Sequence, residues 1–130
     1  MTRPLAAILA LSALAAVPAV RAADAAAGAK VFATECSECH SVREGKDKKG
    51  PSLFGVANAK AAQRPGFAYS DGMRASGLVW TPENLGAYVA NPRKVVPAGK
   101  MKYDGLSDAT QREDLIAYLQ SVAKGESGGH

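Results

Sequence analysis

The stretch "ECSECHS", residues 35–41, brings three metal-binding side chains together within five positions. Cys36 and Cys39 are the only cysteines of the 130-residue chain, and His40 is one of its two histidines. Two cysteines alone fit a disulfide or a thioredoxin-like redox pair. A redox pair, however, needs a strand–turn–helix context that is absent here, and a structural zinc site needs four donors where only three lie close together.

The imidazole directly after the second thiol favours a different chemistry. C-x-x-C-H is the attachment signature of c-type haem, in which two thiols add to the porphyrin vinyl groups and the adjoining imidazole binds the iron. The sequence therefore predicts one covalent haem c, attached through Cys36 and Cys39, with His40 as an axial iron ligand. A structural disulfide between the two cysteines is the main alternative.

Three residues are candidates for the opposite axial position of the iron. His130 ends a Gly-rich tail, residues 125–130, that is predicted to be disordered. Met73 lies in a short helical turn, where a methionine typically fills a packing gap. Met101 lies in the segment 91–105, which contains two prolines and two glycines and is read as a loop without a clear helical or strand period. Because a rigid loop holds a soft thioether in a fixed place, the sequence predicts Met101 as the second axial ligand.

The first 22 residues have the pattern of a cleaved secretory signal. "MTR" is a short basic start, and residues 4–17 form an apolar run that is too short to span a bilayer. "AVRA" then places Val20 and Ala22 at the small-residue positions before a cut. The sequence therefore predicts a leader over residues 1–22, with cleavage after Ala22 or Ala23, export to the periplasm, and one mature domain over residues 23–130.

Loss of the leader also changes the net charge. Removal of Arg3 and Arg21 lowers the basic residues from 16 to 14 against 12 acidic residues, which leaves the mature chain near +2. Nucleic-acid-binding domains carry a strongly basic face, so this weak charge argues against a nucleic-acid partner.

Helical patterns separated by loops indicate an all-α fold. Asp24 is expected to cap a helix that leads into the cysteine motif, and Thr81 to cap a second helix that stops before Pro92. Residues 43–69 contain charges, glycines and prolines without an alternating run, so they are predicted to form a loop. Its first part, residues 43–49, is interpreted as a solvated charged connection.

Residues 107–125 show the clearest helical period. Ser107 is expected to cap this helix and Gly125 to end it. One face carries an apolar stripe, which consists of Leu115, Ile116, Leu119 and Val122. The stripe predicts that this helix packs against the core of the domain.

From Gly28 to Leu119 the chain resembles class I cytochromes c of the mitochondrial type. The matching motifs follow the order of the family: "GAKVF", "CSECH", "GPSLFG", "PGFAYSD", Trp80, "NPRK", Pro97 with "KM", and "REDLIAYL". The resemblance implies an all-α fold wrapped around one covalently bound haem c. It also implies that the first and last helices cross at a glycine that lets their backbones approach closely. The residues expected at this crossing are Gly28, Phe32, Leu115 and Tyr118.

The resemblance also implies hydrogen bonds that support the cofactor. The Pro51 carbonyl would accept from the His40 ring and fix its orientation. Tyr69 and Trp80 would donate to a buried haem propionate, and Tyr88 would donate to the sulfur of the ligand methionine. Without the resemblance, these three aromatic residues read as ordinary core.

Four positions depart from the pattern of the mitochondrial proteins. Ala59 stands where they carry an arginine near a propionate, and Met73 stands for the asparagine of a buried polar network. Gly99 replaces a threonine of the loop, and Tyr103 replaces a phenylalanine at the rim. These departures concern the hydrogen bonding around the haem and leave the predicted iron ligands unchanged.

The predicted ligands imply the function. With His40 and Met101 both bound, no iron position remains open for a substrate, so the iron exchanges only electrons. The chain is therefore predicted to be a soluble, monomeric electron carrier of the periplasm that does not span the membrane, and not an enzyme. Its expected donor is a quinol–cytochrome c reductase, and its acceptor a terminal oxidase, a photosynthetic reaction centre or a periplasmic reductase. A haem enzyme or gas sensor with an open sixth position is the alternative.

Partner docking is predicted to use the exposed haem edge. The cations expected around this edge are Arg93, Lys94, Lys100 and Lys102. The acidic residues that interrupt them are Glu35, Glu38 and Asp104. A solvated face without a docking role is the alternative interpretation of the same charges.

Overall fold

The computed structural model describes residue 1 and residues 13–122, and this part of the chain folds into five α-helices. The helices are α1 (Ala25–Glu35), α2 (Asp71–Ala75), α3 (Pro82–Ala90), α4 (Pro92–Val95) and α5 (Ala109–Val122). No strand occurs among the described residues, and the one β-bridge joins Lys60 to Val79. The all-α prediction is therefore confirmed. Residues 2–12 of the predicted leader and the predicted tail with His130 lie outside the described residues.

Side-chain caps fix where the helices begin. The Asp24 carboxylate accepts from the N–H groups at the start of α1, and the Thr81 hydroxyl accepts from the third residue of α3, as expected. The expected cap of α5 was wrong by one position. The Asp108 carboxylate, not Ser107, accepts from the Gln111 N–H, at 2.9 Å. Both residue types favour this position, so the composition alone does not separate them.

The segment 91–105 is not a loop throughout. Asn91 caps a four-residue helix, α4, by accepting from the Lys94 N–H at 3.1 Å, and Pro92 occupies its first position. One turn is too short to show a hydrophobic period, so the sequence pattern missed it. The loop that carries Met101 therefore begins only after Val95.

Helices α1 and α5 cross at Gly28. A Cβ atom at this position would lie 1.9 Å from the Asp114 carbonyl oxygen and 2.8 Å from Tyr118 Cβ, so the two backbones are in direct contact. Phe32 packs beside the crossing with its ring centroid 5.7 Å from that of Tyr118, and Leu115 is only 1% exposed. The crossing has the residues that the sequence predicted.

Two groups of buried side chains form the core. One group joins α1 to α5 and contains Phe32, Leu106, Leu115 and Leu119. The other surrounds α3 and contains Ala61, Trp80, Leu85, Tyr88 and Val96. Members of both groups line one large cavity. Among the described residues, no helix is both long enough and apolar enough to cross a bilayer.

Candidate functional site

The central cavity has a volume of about 580 Å³, and its wall is largely apolar. The four side chains predicted to attach the cofactor and bind its iron all line it, namely Cys36, Cys39, His40 and Met101. They come from two parts of the chain that are 61 positions apart, as counted from His40 to Met101. The fold thus brings the predicted donor set to a single space.

The end of α1 presents the two thiols and the imidazole. The Cys36 N–H donates to the Phe32 carbonyl, and the N–H groups of Cys39 and His40 both donate to the Cys36 carbonyl, at 3.1 and 2.9 Å. This turn directs all three side chains to the cavity. The cysteines are not bonded to each other, which argues against the disulfide alternative. Burial raises the pKa of the Cys36 thiol to about 11, so this sulfur stays protonated and uncharged at neutral pH.

Backbone groups hold the His40 ring in place. Nδ1 donates to the Pro51 carbonyl at 2.8 Å, which is the contact expected from the sequence. Because the carbonyl can only accept, Nδ1 carries the proton and Nε2 is left with a free lone pair. Burial lowers the pKa of His40, while the hydrogen bond to Pro51 opposes this shift. The ring is therefore a neutral imidazole suited to metal binding.

Gly50 makes room for this ring. A Cβ atom at Gly50 would lie 2.3 Å from His40 Cε1, so any side chain would displace the imidazole. The Gly50 N–H donates to the Cys39 carbonyl at 2.7 Å, and the Leu53 N–H donates to the Ser41 carbonyl at 2.8 Å. These hydrogen bonds hold the backbone segment of residues 39–41 against that of residues 50–53, next to His40.

The Met101 sulfur has one polar contact. The Tyr88 hydroxyl donates to it at 3.6 Å, and this tyrosine is buried. Burial raises the pKa of Tyr88, so its hydroxyl keeps its proton. Met73 lines the same cavity and packs against the same cluster, but its sulfur receives no hydrogen bond from any described residue. The contact with Tyr88 is the feature that distinguishes the two methionines.

The two other aromatic residues expected near a propionate also line the cavity. The Tyr69 hydroxyl accepts from the Arg64 N–H at 3.3 Å, which leaves its own proton free for another acceptor. Burial raises the pKa of Tyr69. Trp80 is buried with its ring centroid 5.0 Å from that of Tyr88. Both remain candidates to donate to a carboxylate in the cavity.

Sequence reasoning missed Arg64. This arginine lines the cavity, is 19% exposed, and forms an ion pair with Asp47. Asp47 in turn accepts from the Ser52 N–H at 2.9 Å, and these two bonds lower its pKa. Residues 43–49 are all exposed, as expected for a solvated connection, but Asp47 also pairs across the loop with Arg64. Asp47 and Arg64 are 17 positions apart in a loop that shows no hydrophobic periodicity, so no local sequence pattern indicated the ion pair.

Arg64 also bears on one departure from the family pattern. Ala59 lines the cavity, as expected for a position near a propionate. The same lining contains Arg64, so a guanidinium is present although Ala59 supplies none. The guanidinium of Arg64 is paired with the Asp47 carboxylate.

The predicted rim cations divide into two sets. Lys100 and Lys102 line the cavity, whereas Arg93 and Lys94 lie exposed on α4 outside its lining. The four predicted cations are all exposed, and two further lysines line the cavity without having been predicted, Lys49 and Lys60.

Several of the rim charges have partners. Lys49 pairs with Glu38 at 2.9 Å, and Arg93 pairs with Asp104 at 3.5 Å. The Lys100 ammonium contacts the Ala68 carbonyl and lies 5.2 Å from the centroid of the Phe67 ring. Neither Lys100 nor Lys102 forms an ion pair among the described residues.

Tyr103 and Glu35 line the cavity and contact each other. The Tyr103 hydroxyl donates to the Glu35 carboxylate at 2.7 Å and so connects the Met101 loop to the end of α1. Burial and this hydrogen bond raise the pKa of Tyr103. The phenylalanine that mitochondrial cytochromes c carry at this position has no hydroxyl and could not make this hydrogen bond.

The donor set fits a haem. Two unpaired thiols, a neutral imidazole and a thioether face one apolar space, and Gly50 leaves room for the imidazole to stand where it does. By contrast, no group of three His, Cys, Asp or Glu side chains within the described residues could hold a bare metal ion. This argues against the zinc site that was considered for the three clustered donors.

Comparisons with known proteins agree with this chemistry. The sequence model of the cytochrome c family matches residues 25–123. Cytochrome c2 of Rhodopila globiformis is 44% identical over 92 residues, which cover 71% of this chain and 87% of the relative. Cytochrome c of Tetrahymena pyriformis is 46% identical over 92 residues, which cover 71% of this chain and 83% of the relative.

A solved structure shows the same architecture. Cytochrome cH from Methylobacterium extorquens superposes with a TM-score of 0.71 at 44% identity. The match covers 75% of this chain and 98% of that protein.

Proposed function

The chain belongs to the cytochrome c family, and we propose that it is a periplasmic electron carrier whose haem iron is bound by His40 and Met101. Members of this family carry one covalent haem c and transfer electrons, so the chain is a haem electron carrier. What the proposal adds is the identity of the ligands and attachment residues, the compartment and the partners. The thioether bonds are assigned to Cys36 and Cys39.

One observation carries the ligand assignment. His40 and Met101 line the same cavity, and each has a hydrogen-bond partner of the right kind. The Pro51 carbonyl accepts from His40 Nδ1, so Nε2 is the nitrogen left to bind iron. The Tyr88 hydroxyl donates to the Met101 sulfur, which restricts its position without blocking its second lone pair.

The bound haem supplies an iron that exchanges one electron at a time. The residues of this chain set the conditions for that exchange. His40 and Met101 would both bind the iron, which would leave no iron position for a substrate, so we assign no enzymatic activity. The apolar wall excludes water and disfavours the additional positive charge of the oxidised state, which raises the reduction potential. Tyr69 and Trp80 are the donors proposed for a propionate.

The periplasmic location rests on the leader predicted over residues 1–22, which would leave residues 23–130 as the mature domain. Such a carrier would take electrons from a quinol–cytochrome c reductase. It would pass them to a terminal oxidase, a photosynthetic reaction centre or a periplasmic reductase. Lysines at the cavity mouth favour transient docking with acidic partners by a monomer.

Paired methionine variants test the ligand assignment. Met101→Ala should lower the midpoint potential, remove the absorption band of methionine-bound ferric haem, and allow the reduced protein to bind carbon monoxide. Met73→Ala provides the matched control, because this methionine lines the same cavity and should leave all three properties unchanged. If wild-type protein already binds carbon monoxide as readily as Met101→Ala, the sixth position is open. The protein would then be a haem enzyme or gas sensor.

A further inference from the structure

A buried carboxylate lies where the chain enters α1. Asp114 of α5 is the only charged residue among the buried residues that the structure describes, and its side chain is 5% exposed. Its Oδ1 accepts from the Asp24 N–H at 2.8 Å. The Arg21 guanidinium donates to both carboxylate oxygens, each at 3.0 Å. A buried carboxylate keeps its charge only where such partners replace water.

The charges around Asp114 show why its carboxylate needs a positively charged partner such as Arg21. Arg21 forms the only ion pair of Asp114 within the described part of the chain. The other charged groups that face Arg21 are the carboxylates of Asp24 and Glu113. The hydrogen bond with Asp114 raises the pKa of Arg21, and the hydrogen bonds from Arg21 and Asp24 lower the pKa of Asp114. Removal of the guanidinium alone would leave a buried negative charge near two others.

Arg21, however, lies within the proposed leader, so export would remove it. Cleavage after Ala22 creates a new α-ammonium on Ala23, one peptide unit before the Asp24 nitrogen that already contacts Asp114. The nitrogens of Ala23 and Asp24 are separated by no more than the roughly 3.8 Å between consecutive Cα atoms, so this ammonium lies within reach of the carboxylate that Arg21 leaves. We propose that processing exchanges the Arg21 guanidinium for the Ala23 α-ammonium as the counter-ion of Asp114. This inference rests on the export proposed above.

The exchange has a distinctive pH dependence. An α-amino group has a pKa of about 7.7–8.0 in an unfolded chain, and pairing with a buried carboxylate raises it in the folded state. A group whose pKa is raised on folding contributes its full stability below the unfolded value and loses it as pH rises through the folded value. A chain that relied on Arg21 would keep its charge over this whole range.

The test uses the periplasmic holoprotein and a variant with Gly-Ser inserted between Ala22 and Ala23. The insertion moves the new amine two residues away from Asp114. Intact mass identifies the N-terminus of each chain. Guanidinium unfolding followed by far-UV circular dichroism gives the folding equilibrium constant from about pH 6 to about pH 10.

We expect a native mature chain that begins at Ala23 and an equilibrium constant about tenfold lower after the insertion at neutral pH. That factor corresponds to a rise of about one unit in the pKa of the amine on folding. The two chains should converge by about pH 10, where the amine is neutral in both.

Asp114→Asn provides the matched background for the insertion. The carboxylate is absent there, so the insertion should change the equilibrium constant by less than about twofold. If Asp114→Asn does not accumulate, the pH series of the other two chains decides the question alone. A mature chain that retains Arg21, or an insertion without effect at neutral pH, would overturn the inference. The ligand assignment would survive either result, because it is read from the spectrum and potential of the methionine variants.

Discussion

The two sides of the haem cavity are built from different kinds of contact. The histidine wall, which we define as residues 36–41 and 50–53, is held by backbone hydrogen bonds. Its pairs run from Gly50 to Cys39 and from Leu53 to Ser41, and the Pro51 carbonyl accepts directly from His40. The His40 ring and the Pro51 carbonyl are therefore held in place by several backbone hydrogen bonds.

The methionine wall, which we define as residues 96–103 together with Tyr88, is held mainly by side chains. Within the described part of the chain, residues 97–103 make a single backbone hydrogen bond, from the Gly99 N–H to the Val96 carbonyl at 3.0 Å. The remaining polar contacts are those of Tyr88 with the Met101 sulfur, of Tyr103 with Glu35, and of Lys100 with the Ala68 carbonyl. Segments held in this way open with lower free energy than segments paired through the backbone. We therefore expect the Met101 side to open first.

The largest effect should come from adding one methyl group to the histidine wall. Gly50→Ala places a Cβ 2.3 Å from the His40 ring, and overpacking of this kind costs about 3 kcal/mol in the free energy of unfolding. Gly99→Ala is the matched change in the methionine wall. Its Cβ would lie 3.1 Å from the Val96 carbonyl oxygen, so a small shift of the loop accommodates it at about 1 kcal/mol or less.

Denaturant unfolding of the two holoproteins measures both costs. Equal destabilisation by Gly50→Ala and Gly99→Ala would mean that the two walls are equally rigid, and the comparison would fail. A shift in the spectrum of His40-bound haem only in Gly50→Ala would locate the damage at the ring.

A smaller effect is expected from Tyr88→Phe. The variant removes the hydroxyl that donates to the Met101 sulfur, a hydrogen bond worth about 1 kcal/mol. Because the methionine wall would then open more often, the ferric protein should bind added imidazole roughly fivefold more tightly. Spectrophotometric titration with imidazole measures this affinity.

Tyr118→Phe is the control for this measurement, because Tyr118 packs against Phe32 at the helix crossing and does not line the cavity. It should leave imidazole affinity unchanged. A similar increase in both variants would attribute the effect to general loosening of the fold and not to the sulfur contact.

The contact between Tyr103 and Glu35 should contribute less, since Glu35 is exposed to solvent. We expect Tyr103→Phe and Glu35→Ala each to raise imidazole affinity by about twofold, which corresponds to about 0.5 kcal/mol. The double variant should show no more than the larger single effect, because both changes remove one contact. Additive effects would show that the two side chains act independently of each other.

The features predicted from the residue pattern by itself were local, whereas the crossing at Gly28 and the contact of Tyr88 with Met101 were implied by the resemblance to the family. The C-x-x-C-H spacing indicated the cofactor, and capping residues such as Asp24 and Thr81 marked the start of helices because their hydrogen bonds span two or three positions. The histidine wall belongs to this class, since its motif and the Gly50–Pro51 pair lie within fifteen positions of each other, from residue 36 to residue 50.

What the sequence missed depends on contacts between distant residues. The ion pair of Arg64 with Asp47 and the hydrogen bond of Tyr103 with Glu35 span 17 and 68 positions. Neither leaves a periodic signal, because each depends on how loops meet after the helices have packed. The one-turn helix α4 was missed for a different reason, namely that four residues are too few to show a face.

The smallest effect on stability, and the most informative one for docking, should come from single charge reversals at the cavity mouth. Lys102 lines the cavity, whereas Lys94 is exposed on α4 outside it. Exposed charges act mainly on association rates, and salt screens them over about 8 Å at physiological ionic strength. Lys102→Glu should therefore slow oxidation of the reduced protein by ferricyanide, a small trianion, roughly threefold at low salt. Lys94→Glu should change this rate less.

A cationic oxidant such as tris(phenanthroline)cobalt(III) separates electrostatics from structural damage. Lys102→Glu should accelerate its reaction, because the reversal makes the cavity mouth less repulsive to a cation. Both effects should fade as salt rises, and the midpoint potential should stay nearly constant, since an exposed charge is screened from the buried iron. Slowing by Lys102→Glu with both oxidants would point to a distorted Met101 loop. Equal effects of the two lysines would mean that electrons leave over a wider surface than the mouth of the methionine wall.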